Sequence, residues 1–100
     1  MKMFKKDGFT AVLVSPGFGA GFSTWNKPEM AVDFDLVEAF LKEDMDRFNY
    51  ILEEKYENAY DGGVRDLEVQ WVTEGTQFMI EEYDGNESIV KINELNLFTA

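Results

Sequence analysis

The 100-residue chain has no cysteine, no histidine, two prolines and only nine lysines and arginines. Without imidazole or thiol there is no Ser-His or Cys-His nucleophile, and no zinc site built from thiolates or imidazoles. Without cysteine there is no disulfide, which fits a reducing compartment and leaves the core to hold the fold. No apolar run approaches the roughly 18 residues of a membrane-spanning helix. The strongest candidate, Phe9 to Val14, stops at Pro16 and Gly17. Lys2, Lys5 and Lys6 ahead of it imitate the start of a secretory leader, but the apolar part is too short and no cleavage site follows. A cytoplasmic location is therefore expected.

Acid is what the chain has in excess. Twenty aspartates and glutamates give a formal net charge of -11 at pH 7. Such a surface repels phosphate backbones, nucleotides and anionic lipid, and attracts basic proteins and the basic grooves that hold nucleic acid. Apolar residues at 45% and aromatics at 15% are too many for a disordered acidic tail. One folded domain, 1–100, follows from the length.

Phe9–Val14 is a β-branched run bounded by Gly8 and Pro16, the pattern of a buried strand. Ser15-Pro16-Gly17 predicts a type II turn with Gly17 at positive φ. Asp35 with Glu38 three residues on predicts a capping box, with Phe34 at the staple position. From there Val37, Leu41, Met45, Phe48, Leu52 and Tyr56 recur at helical spacing, widened by Phe40 and Ile51. Asp44 falls inside that apolar stripe. Either the helix breaks near Lys42–Asp44 and Asp44 caps a second helix, or Asp44 is a buried functional carboxylate. The helical region closes at Tyr60-Asp-Gly-Gly63, with Gly62 as a left-handed cap. Leu67–Thr73, Thr76–Tyr83 and Ser88–Ile92, separated by Glu74-Gly75 and Asp84-Gly85, predict a three-stranded antiparallel meander. Leu95, Leu97 and Phe98 in the tail are expected to tuck against the core. The fold class is thus α+β: an N-terminal strand, a helical segment and a meander.

Three groups of residues are candidates for function. The first is the loop Gly17–Asn26, whose Gly17, Gly19 and Gly21 suggest a phosphate cradle. The match fails because Phe22 stands where a third fingerprint glycine belongs, no helix opens directly after it, and Lys27 is the only nearby cation. The same loop can instead display Phe18, Phe22 and Trp25 to a partner, or fold those rings back over the sheet. The second group is the polar side of the helical region: Asp35, Glu38, Glu43, Asp46, Glu53, Glu54 and Glu57. The third surrounds the last hairpin: Glu81, Glu82, Asp84 and Glu87. Each acid singly reads as a solvated side chain, and Glu38–Lys42 and Glu43–Arg47 are offset locally. Together they exceed the net charge of about 2–8 that solubility asks of a small domain. Mimicry of a phosphate strand would require the hairpin acids to share the helix face, because residues 35–58 carry eight acids against three bases. No pair of carboxylates has a glycosidase or metal-loop signature, so neither catalysis nor a cofactor is expected.

Ser15-Pro-Gly-Phe-Gly-Ala-Gly-Phe-Ser-Thr-Trp-Asn26, with Glu74-Gly-Thr76 and Glu81-Glu-Tyr-Asp-Gly85, resembles a group of small acidic proteins encoded by bacteriophages. The resemblance runs over most of the chain and brings no established activity. It implies a host-cell cytoplasmic setting in which a small acidic domain binds and blunts a host defence or nucleic-acid-handling protein. The expected partner is a basic host protein or a nucleic-acid-binding groove, with no direct contact to nucleic acid or membrane. The alternatives are a small-ligand binder using the glycine loop and Trp25, and a virion or assembly component.

Overall fold

A computed structural model describes residues 2–92. Its elements are β1 (Lys5–Lys6), β2 (Phe9–Val14), α1 (Phe34–Leu41), α2 (Met45–Lys55), β3 (Glu68–Thr73), β4 (Phe78–Tyr83) and β5 (Asn86–Lys91). Short 3₁₀ turns occupy Ser23–Trp25, Pro28–Ala31 and Gly62–Asp66. The class is mixed α+β, as the residue pattern predicts.

β2 explains the layering. Ala11 and Leu13 belong to one apolar cluster with Leu36, Val37, Phe48, Ile51 and Leu52 of the helices. Val12 and Val14 belong to a second, with Ala31, Val32 and Val72, against which Phe78, Ile80 and Ile89 pack. The strand reads as an unbroken apolar run because both its faces are covered. Val12 and Leu13 are each 0% exposed, and burying one such side chain contributes about 1.5–3 kcal/mol.

The strands divide differently from the expected meander. β3 pairs antiparallel with β2, Val12 opposite Gln70, while β4 and β5 form a separate two-stranded sheet. The physical reason is the two-sided core. Leu67 and Val69 are needed on the helix side of β2, and Phe78, Ile80 and Ile89 on the other. A continuous meander would leave Val12 and Val14 uncovered. The turn at Gly75, φ 88°, carries the chain from one layer to the next. β1 and β2 form an additional hairpin through Asp7 (φ 53°) and Gly8 (φ 85°), the same left-handed pair that closes β4–β5 at Asp84 (φ 51°) and Gly85 (φ 85°).

Several local expectations shift. Gly17 is not at positive φ; that conformation falls on Gly19 (φ 102°), so the predicted type II turn at Pro16-Gly17 is absent. Asp33, not Asp35, caps α1, accepting from the backbone N–H of Asp35 at 3.0 Å and Leu36 at 3.1 Å. Phe34 is then the first helical residue, and its ring lies 5.4 Å from that of Phe4. The helical region breaks where Asp44 suggested. Asp44 is exposed and accepts from Arg47 N–H at 3.1 Å as the cap of α2, so it is not a buried carboxylate. The helix ends at Lys55, and the left-handed residue beyond it is Asn58 (φ 67°) instead of Gly62. Within the stripe Leu41 is the outlier, exposed while Val37, Phe48, Ile51, Leu52 and Tyr56 are buried. Leu95, Leu97 and Phe98 lie outside the described residues.

Candidate functional site

The glycine loop and the tip of the β4–β5 hairpin form one junction. Glu87, 1% exposed, sits beneath the loop. Its Oε1 accepts from Ser15 N–H at 2.8 Å, and its Oε2 accepts from Phe22 N–H at 2.8 Å, Thr24 N–H at 3.0 Å and the Thr24 hydroxyl at 2.5 Å. Glu87 N–H in turn donates to the Ser15 carbonyl at 2.8 Å. Gly19 N–H donates to Asp84 O at 2.6 Å, and the Asn86 side-chain amide donates to the Pro16 carbonyl. The contact is close enough that a Cβ on Gly85 would collide with the backbone of Ala20.

This arrangement gives the loop amides an acceptor within the protein. Successive N–H groups in a glycine-rich turn make an anion-binding concavity. Here it is filled from within: the amides of Phe22 and Thr24 point at the protein's own carboxylate. Glu87 is therefore a buried structural acid and adds nothing to a docking surface. No buried side-chain nitrogen or oxygen among the described residues lacks a hydrogen-bond partner.

The three loop aromatics separate. Phe22 is 0% exposed and packs on Phe48, ring centroids 6.1 Å apart, so it belongs to the core and cannot meet a partner. Trp25 is half-exposed and stacks on Tyr60 at 5.5 Å, while Asn26 accepts from Tyr60 N–H at 2.7 Å and so holds that neighbouring segment in place. Phe18 points out, 69% exposed. Tyr83 is 79% exposed; Phe18 and Tyr83 immediately precede the two residues joined by the Gly19–Asp84 bond. The hairpin motif at Asp84-Gly85 located Tyr83 in the sequence, but only the fold brings the hairpin tip to the glycine loop.

The helical acids sort by whether they meet a base. Asp35 pairs with Lys55 at 2.7 Å, and Glu38 with Arg47 at 2.9 Å and Lys42 at 3.8 Å. The Asp35–Lys55 and Glu38–Arg47 pairs stitch α1 to α2. The Glu38 partner raises the Arg47 pKa, and the Asp35 carboxylate raises that of Lys55, with burial opposing both. Among the described residues, Glu43, Asp46, Glu53, Glu54 and Glu57 are exposed and in no ion pair. Asp46, Tyr50 and Glu53 are spaced four and three residues apart, one line along the outer side of α2, and Glu57 lies just past its end at Lys55. Glu81 and Asp84 are likewise exposed and unpaired, and Glu82 accepts from Gly85 N–H at 2.8 Å. The helices cover one face of the β1–β2–β3 sheet and the hairpin the other, so the two acid groups lie in opposite layers and do not share a face.

A second buried acid was missed in the sequence. Asp33, 4% exposed, caps α1 and accepts from Tyr56 Oη at 2.6 Å and Lys55 Nζ at 3.3 Å. Burial pushes its carboxyl up, but the Tyr56 hydroxyl, the Leu36 amide and Lys55 together hold it below the ordinary value. Burial and the Asp33 hydrogen bond push the Tyr56 phenol well above its ordinary value. The cap-forming aspartate two residues before Asp35 was the available signal. Among the described residues no group of acids is clustered to hold a metal ion, and no helix is long and apolar enough to cross a membrane. No protein-family model matches the chain, and no curated protein or solved structure matches it.

Proposed function

We propose that the protein is a binding module that docks stoichiometrically on a basic surface of another protein and blocks it. The observation that carries this reading is the disposition of charge. The ion pairs among the described residues fall on Asp33, Asp35, Glu38 and Glu74, leaving the outer side of α2 and the hairpin tip as exposed carboxylate without counter-charge. Such surfaces steer a cationic partner at long range, and exposed aromatics beside them supply contact area at short range. The resemblance to small acidic phage proteins suggests a host defence or nucleic-acid-handling protein as the target. Two acid groups in separate layers favour contact with a protein surface over imitation of a continuous phosphate strand.

The test uses the purified protein as an affinity ligand for a host lysate, followed by kinetics with the retained protein. A basic protein should be retained in a 1:1 complex. Its association rate should fall at least about tenfold as salt rises from roughly 50 to 500 mM, where screening shortens to a few ångström. Equal rates at both ionic strengths would remove the steering role.

A further inference from the structure

The two edges of the β1–β2–β3 sheet differ. At one edge β1 is two residues long and both are lysines, Lys5 and Lys6, the short charged edge that deters further pairing. At the other edge β3 runs for six residues, Glu68–Thr73, with no proline or lysine among them. Among the described residues β3 pairs only with β2.

The ladder fixes which backbone groups of β3 are left over. Glu74 N–H donates to the Gly8 carbonyl at 2.9 Å, so the bonded pairs continuing that ladder are Thr10–Val72, Val12–Gln70 and Val14–Glu68. Ala11 N–H, one position out of phase, donates instead to the Phe4 carbonyl on the β1 side at 2.9 Å. Val69, Trp71 and Thr73 therefore turn their N–H groups away from β2, and among the described residues these groups meet no acceptor. The side chains of β3 alternate as well. Trp71, 42% exposed, shares the helix side of the sheet with Val69, and its ring lies 6.3 Å from that of Phe4. Glu68 points to the hairpin side, exposed and in no ion pair among the described residues.

Resting on the reading above, we infer that the outer edge of β3 is the docking site for the protein partner, and that its occupant is an extended segment of that partner, added to the sheet as a fourth, antiparallel strand. A strand is the structure whose backbone donors and acceptors recur at the spacing of the open row. In such an addition the residues opposite Val69 and Trp71 direct N–H and C=O at β3 and side chains to the helix side, where apolar groups cover the Trp71 ring. The residues between them point to the hairpin side, where lysine or arginine meets Glu68. Alternating apolar and basic side chains thus match the two sides of β3. A second copy is a poorer occupant, because each chain carries a net charge of -11. β3 spans about 20 Å at roughly 3.3 Å per residue, so a segment of about eight residues covers it.

The test is a titration of the isotope-labelled full chain, followed by amide chemical shifts, with two capped peptides of about eight residues. One alternates valine with lysine. The other has the same sequence N-methylated at its valines, which keeps charge and side chains and removes the donors that face β3. The expected result is saturable shifts centred on Glu68–Thr73, slower hydrogen exchange at Val69 and Trp71, and at least about tenfold weaker binding of the N-methylated peptide. Equal affinity for the two peptides would overturn strand addition. Shifts centred on Met45–Lys55 or Phe78–Tyr83 would overturn the β3 assignment and leave the wider charge-based reading standing. Absence of saturable binding would overturn the inference, while the salt dependence measured with the protein retained from lysate decides the wider reading separately. Concentration-dependent dimerisation of the chain alone, with shifts at Val69 and Trp71, would give the edge to a second copy and overturn the partner segment as its occupant.

Discussion

Glu87 and Glu53 are the same residue with opposite fates. Glu87 lies under the glycine loop and meets four donors within 3.0 Å. Glu53 faces water on α2 and meets none. The difference is not in charge or local sequence but in whether the fold brings unpaired backbone N–H groups to the carboxylate. Where it does, the acid becomes part of the core, because the buried amides have no other acceptor. Where it does not, the acid stays available for a partner. The protein thus uses carboxylates in two ways, and the junction of loop and hairpin marks the boundary between them.

Replacing Glu87 should break this contrast most severely. Glu87→Ala strands three backbone N–H groups and a hydroxyl, and should lower unfolding stability by about 3–5 kcal/mol. Glu53→Ala should stay within about 0.5 kcal/mol. Urea denaturation of the two variants measures both; a Glu87→Ala loss under about 1 kcal/mol would mean the carboxylate is not what fixes the loop.

A smaller effect should separate two glycines with nearly the same backbone. Gly75 (φ 88°) and Gly85 (φ 85°) both sit in the left-handed region, but a Cβ on Gly75 meets nothing within 4 Å whereas one on Gly85 meets the Ala20 backbone. Gly75→Ala should therefore cost about 1 kcal/mol, and Gly85→Ala about 2–4 kcal/mol. Equal losses in thermal unfolding would show that the hairpin tip does not press on the loop.

Much of this division was legible in residue order, and some was not. β2, the Asp84-Gly85 turn and the helix break at Asp44 follow from local chemistry: a β-branched run, a dipeptide suited to positive φ, and a cap residue out of place in an apolar stripe. The partner of β3 does not. Its alternation of Leu67, Val69 and Trp71 suits either neighbour, and only the need to cover both faces of β2 decides. Glu81, Glu82, Asp84 and Glu87 likewise look equivalent in sequence. The register sets Glu82 opposite Glu87 on one face, yet only Glu87 reaches the loop amides, a coincidence of positions 63–72 residues apart. Asp7-Gly8 carried the same signal as Asp84-Gly85 and marks a hairpin that the flanking lysines obscured.

The smallest effect belongs to the other buried acid. Asp33 keeps its carboxyl below the ordinary value in the fold, so its contribution is complete above about pH 4 and is lost as pH falls through the folded value. The Tyr56 phenol is raised, so its contribution is complete below about pH 10 and is lost as pH rises beyond it. Tyr56→Phe should cost about 1 kcal/mol at neutral pH and flatten both limbs of a stability–pH curve. An unchanged curve would detach Tyr56 from Asp33.

Amide hydrogen exchange tests the central claim most directly, since it reads the loop N–H groups one by one. Phe22 and Thr24 lie outside the sheet ladders and donate to Glu87. In the native protein they should exchange as slowly as the amides of β2, and in Glu87→Gln they should exchange at least about a hundredfold faster while the β2 amides change less. Fast exchange at Phe22 and Thr24 in the native protein would contradict the account, because the loop would then be open and its carboxylate free.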